Sequence, residues 1–93
     1  MGHRNPAYLQ RVRDLGCLVC SEVLGIEDTP AAAHHLFDPK DRDDYLTAPL
    51  CREHHQGKTG FHGLGGAEPF RRLYNLSECE LLALTLARLD RGR

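Results

Sequence analysis

Two short spacings, Cys17-Leu-Val-Cys20 and Cys51-Arg-Glu-His54, constrain this chain more than any other feature. Cysteine or histidine pairs separated by two residues form half of a tetrahedral zinc site in a tight knuckle, and two such halves about thirty residues apart complete it. The fold must therefore bring Cys17 and Cys20 beside Cys51 and His54. A chain of 93 residues reads as a single domain, 1–93, and at this length only about 60–70% of the unfolded surface is buried. Such a core needs a staple, and the four cysteines and six histidines are the candidates. No secretory leader opens the chain and no apolar run approaches the roughly 18 residues that span a bilayer. We therefore expect a soluble, intracellular protein with no membrane association, where thiols stay reduced and the paired spacing favours zinc over disulfides. The net charge of −1 is no global basic signature of a nucleic-acid binder, which counts against a pure DNA-coating role.

Asn5 before Pro6 predicts a helix start, with Tyr8, Leu9, Val12 and Leu15 at helical spacing over residues 6–15 and a stop at Gly16. Residues 21–30 read as a loop or ragged hairpin arm. Ala31 to Leu36 reads as a first strand, despite alanine's poor strand propensity, and Tyr45 to Leu50 as a second. Between them runs a charged excursion broken by Pro39; Pro49 implies an edge strand or a strand terminus. A helix follows Cys51 through Gln56 and weakens between Gly57 and Gly60. Phe61 to Gly66 is a glycine-rich turn that lacks the lysine-serine ending of a phosphate loop. Residues 67–74 form a short helix. Ser77-Glu-Cys-Glu80 fits a capping box, so 78–90 is predicted as a helix, with its leucines marking it as a core element and Cys79 as a small packed hydrophobe.

With four residues assigned to zinc, the histidines outside residues 1–4 are His34, His35, His55 and His62. The adjacent pair His34-His35 can divide labour, one imidazole holding a metal ion while the other takes a proton. The zinc site fixes part of the geometry. It ties the loop before the first strand to the start of the helix after the second, so His55 must project beside a ligand. A hairpin clamped to that helix can bring His34, His35 and His55 to one surface. Imidazole-rich sites suit Zn²⁺, Ni²⁺, Co²⁺ or Mn²⁺, whereas Mg²⁺ prefers oxygen ligands. His3, near the end of the chain, reads as flexible.

The order Cys-x-x-Cys, Ala-x-His-His, Pro-Leu-Cys-x-x-His-His and a further histidine resembles the HNH, or ββα-metal, endonucleases. The likeness is greatest to small phage and prophage members, including the recombination-associated RecA-dependent nucleases. It covers residues 4–76, with Pro49-Leu50-Cys51-x-x-His54-His55 its most specific part. It implies an α+β fold: a ββα-metal hairpin-plus-helix core with a zinc knuckle, flanked by an N-terminal helix and C-terminal helices. Carried over by residue, it makes His35 the general base and His34 a ligand of a catalytic divalent ion (Mg²⁺, Mn²⁺, Ni²⁺, Co²⁺ or Zn²⁺). His55 and His62 would be further ligands, with the structural Zn²⁺ on Cys17, Cys20, Cys51 and His54. The implied reaction is phosphodiester hydrolysis to a 5′-phosphate and a 3′-hydroxyl. The family's middle asparagine is replaced here by Leu46, and Asp44 or Thr47 are the polar substitutes nearby. A backbone carbonyl of the hairpin could orient the second ring nitrogen of His35.

The expected function is a metal-dependent DNA endonuclease of low sequence specificity in the cytoplasm of a phage host, acting with packaging or recombination proteins. The rivals are a non-catalytic zinc-knuckle module that binds nucleic acid or protein, and a toxin-like RNA-cleaving member of the same fold. Lys40, Arg42, Arg52, Lys58, Arg71 and Arg72 are the candidate phosphate contacts, set against ordinary solubilising charge.

Overall fold

The computed structural model describes residues 2–37 and 42–91. It is a small α+β fold built from a two-stranded sheet and five helices in the order α1 (Pro6–Asp14), α2 (Leu18–Glu22), β1 (Ala32–His35), β2 (Thr47–Leu50), α3 (Arg52–Gln56), α4 (Ala67–Tyr74) and α5 (Glu78–Arg91). The Asn5 side chain accepts from the Tyr8 amide at 3.1 Å, Pro6 opens α1, and Gly16 at φ +80° stops it. That stop turns the chain directly into the Cys17–Cys20 knuckle.

β1 and β2 are antiparallel, with Ala32 opposite Leu50, Ala33 opposite Pro49, His34 opposite Ala48 and His35 opposite Thr47. A two-stranded sheet leaves each strand an open edge, the setting that tolerates a proline. β2 begins two residues later than its apolar run predicts. Asp43 holds the preceding turn, its side chain accepting from the Tyr45 amide at 2.9 Å and its carbonyl from the Leu46 amide at 3.0 Å. Every residue of β2 is buried, because α1, α2, α3 and α5 all pack against it. The core is Leu18, Val19, Leu36, Ala48, Leu50, Phe61, Phe70, Leu76 and Leu81, joined by the three knuckle cysteines.

The capping box forms as predicted: Ser77 Oγ accepts from the Glu80 amide and Glu80 Oε1 from the Ser77 amide, each at 3.1 Å. Of the α5 leucines, Leu81 and Leu89 are buried and Leu86 is 49% exposed, so only one face of the helix is core. Cys79 is exposed rather than packed, because it falls on the opposite face. Among the described residues no helix is long and apolar enough to cross a membrane.

Candidate metal centres

The first cluster is the knuckle. Cys17, Cys20, Cys51 and His54 are all buried, and their ligand atoms lie within 4.8 Å of one another. His54 Nδ1 is 3.5 Å from Cys17 Sγ, 3.6 Å from Cys20 Sγ and 3.2 Å from Cys51 Sγ, and Cys20 Sγ is 3.9 Å from Cys51 Sγ. A tetrahedral zinc with bonds of about 2.3 Å to sulfur and about 2.0–2.1 Å to nitrogen has edges of ~3.8 Å (S···S) and ~3.6 Å (S···N). These four separations lie within about 0.4 Å of such edges, so the four groups could hold a structural metal such as zinc. All four cysteines are free thiols. Burial pushes the Cys17 thiol up to about 12, with its pair of cysteine neighbours adding repulsion, so the thiolates such a site needs form only opposite a cation.

The second cluster lies one residue along α3. His34, His55 and His62 bring ring nitrogens within 4.8 Å of one another. Their ring centroids are 4.8 Å (His34–His55), 4.9 Å (His55–His62) and 5.5 Å (His34–His62) apart. His34 is 4% exposed, stacked at 4.3 Å on Phe61, and its Nε2 is buried with no hydrogen-bond partner. Burial, then repulsion from His55 and His62, lowers the His34 pKa to about 3; burial and His62 also hold His55 below the ordinary imidazole value. Three imidazoles converging, one with an orphaned buried nitrogen, are a donor set suited to a borderline divalent cation.

His62 reaches this cluster by an interruption of α3. The Phe61 amide donates to His54 O and the His62 amide to His55 O, both at 2.9 Å. His62 follows His55 by seven residues rather than the helical four, so three residues are looped out and the ring returns to the place of the next helical turn. Two glycines permit the close approach: a Cβ on Gly60 would stand 2.2 Å from Glu53 O, and one on Gly63 would stand 1.9 Å from Gly57 O. Glu53 closes the loop by accepting from the Thr59 amide at 3.0 Å.

The pleat of β1 separates the two adjacent histidines. While His34 is buried against Phe61, His35 is half-buried and its Nε2 lies 3.0 Å from Asp44 Oδ1. A carboxylate only accepts, so Nε2 carries a proton, and in the neutral ring the lone pair is left on Nδ1. The partner of His35 is thus a side chain, not a hairpin carbonyl. Of the two polar residues near Leu46, Asp44 reaches His35; the buried Thr47 instead donates its hydroxyl to Asp44 O at 2.8 Å. The bonds from His35 and from the Asn5 amide hold the Asp44 carboxyl below its usual range.

Both histidines open on a cleft of about 370 Å³ whose lining also includes Arg42, His55, Gln56, Phe61, His62 and Glu78. Among the described residues Arg42 is the one basic candidate that lines it. Arg52 borders an adjoining shallow depression that shares Gln56 with the cleft. Lys58 is exposed on the looped-out turn. Arg71 and Arg72 lie on α4, paired with Glu68. Lys40 lies outside the described residues. Glu78 is a cleft residue that sequence reasoning missed: its Oε2 accepts from the Phe37 amide at 2.5 Å across 41 residues, a contact without local signature. Set against family models, curated proteins and solved structures, the chain finds no match.

Proposed function

We propose that the protein is a metal-dependent endonuclease of the ββα-metal type, hydrolysing phosphodiester bonds in DNA. The observation that carries this reading is the juxtaposition of a three-imidazole cluster around the orphaned His34 Nε2 with an imidazole already oriented by a carboxylate, His35 on Asp44. His34, His55 and His62 would hold the cation, which when bound supplies electrostatic stabilisation to the phosphate and the departing oxygen.

The protein's own residues do the rest. His35 Nδ1 accepts a proton from water as the oxygen attacks phosphorus; the bond to the 3′ oxygen breaks, that oxygen takes a proton from solvent water to become the 3′-hydroxyl beside a 5′-phosphate, and His35 returns its proton to solvent. Asp44 holds the ring in the required tautomer and balances the charge of the imidazolium that forms. Arg42, at the cleft, meets the phosphate backbone. The sequence carries no evident base-reading element, which favours low sequence specificity. Packaging or recombination proteins of a phage, in the host cytoplasm, are the setting that the sequence resemblance supports. A non-catalytic knuckle module would account for the cysteine cluster but leaves the His35–Asp44 pair without a use.

A plasmid-nicking assay with metal-loaded protein tests this. His35→Ala is expected to lower cleavage by roughly 10²–10⁴-fold, the ordinary contribution of a general base, while cation binding persists. Wild-type protein that leaves plasmid intact, or a variant that cleaves equally well, sinks the reading.

A further inference from the structure

We propose that the segment preceding α1, His3 to Asn5, is a positioning strap that aims the Asp44 carboxylate and, through it, the ring of His35. The consequence for cleavage rests on the reading of His35 as the base; the positioning itself does not.

The hairpin alone does not aim this carboxylate. Apart from His35 itself, the hairpin's side-chain contact to residue 44 comes from Thr47 and reaches the backbone oxygen. The carboxylate is held by His35 at Oδ1 and by the Asn5 amide at Oδ2, the latter at 2.7 Å. Asp44 is 5% exposed, so water does not freely replace that amide, and removing it would leave a buried oxygen without a donor. The strap then grips the same turn residue by residue. His3 O accepts from the Asp44 amide at 2.9 Å, His3 Nδ1 lies 2.8 Å from Asp43 Oδ2, and Arg4 donates to Arg42 O. Asn5 Nδ2 donates to the Tyr45 hydroxyl at 2.8 Å, and the Tyr45 ring stands 5.4 Å from His3 and 4.7 Å from Tyr8. His3 is thus tied down rather than flexible.

Asn5 carries two duties that fix its amide. Its side chain caps α1 while its backbone N–H faces Asp44, so the orientation of the carboxylate is referred to a helix and not to a loop. Asn5, 39 residues from Asp44, is therefore a positioning residue acting through its backbone.

The Gly16–Cys17 junction allows the full chain to be assembled by ligating a synthetic first segment to a recombinant remainder. Replacing the Arg4–Asn5 amide by an ester removes the Asn5 N–H and leaves every side chain in place. Nitrogen-15 spectra of the His35 ring are expected to change from a single Nε2–H tautomer to a mixture, with the cobalt-thiolate bands of the knuckle unaltered. Asn5→Ala, which keeps the amide, should retain the single tautomer. In the unmodified protein the Asn5 amide should exchange at least tenfold more slowly than a free peptide, and Asp44→Ala should remove most of that protection. An ester chain that keeps one tautomer overturns the proposal, as does an Asn5 amide that exchanges freely; the exchange measurement decides the matter if the ester chain does not fold. Intact plasmid alongside a locked His35 tautomer would sink the nuclease reading and leave the strap standing.

Discussion

His54 and His55 are neighbours on α3, yet each belongs to a different cluster. The knuckle around His54 is closed: its four groups are all buried, with ligand atoms within 4.8 Å of one another. The cluster around His55 is graded, from buried His34 through half-buried His55 to exposed His62, and opens on a cleft. Structural zinc sites are closed and catalytic ones keep a position free. One short helix thus carries a residue of each cluster, a buried one at His54 and an open one at His55.

Removing the knuckle metal is the largest perturbation this comparison allows. Chelation, or Cys51→Ser, should unfold the whole chain, since structural zinc contributes on the order of 10 kcal/mol in small domains. Circular dichroism and thermal melting read it out. A cysteine variant that melts like wild type would mean that the core suffices without the staple.

A smaller effect separates the two regions. Gly63→Ala places a Cβ where Gly57 O already stands, within the looped-out turn and away from the knuckle ligands. Relieving such an overpacked contact costs about 1–3 kcal/mol, so cation affinity at the histidine cluster should fall roughly tenfold as His62 is displaced. The knuckle should bind metal as before. Equal losses at both sites would show that the looped-out turn supports α3 as a whole and not His62 in particular.

The smallest effect is in the protons. The Cys17 thiol, pushed up to about 12 by burial, must lose its proton to bind a cation, so knuckle affinity should rise with pH through the neutral range. His34, held at about 3, and His55, also held low, are already neutral there and release no proton on binding. His34 and His55 should therefore contribute a much flatter pH dependence. Calorimetric titration in buffers of different ionisation enthalpy counts the protons at each site. A proton-releasing histidine cluster would show that its rings are charged before the cation arrives.

Much of this was legible in the chain itself. The α1 cap at Asn5-Pro6, the capping box at Ser77-Glu80 and the helix stop at Gly16 depend on bonds between residues a few positions apart, so local patterns announce them. The knuckle was equally legible, because zinc demands few ligand types at narrow spacing. Less of the open site could be read. His62 lies too far from His55 for a helical pair, and only the bond from its amide to His55 O reveals that the intervening turn is looped out.

The sequence by itself determined both strands and four of the five helices in their order, the cysteine-histidine staple and the histidines available for chemistry, since these follow from residue type and short-range spacing; the short α2 that carries Cys20 was not among them. The tertiary structure alone decided that Asp44 meets His35, that Glu78 borders the cleft and that His3 to Asn5 grip the turn before β2. Contacts of the last two kinds span about 40 residues. No periodicity encodes them; they form only when the staple and the core have closed the chain and brought distant backbone within hydrogen-bond reach.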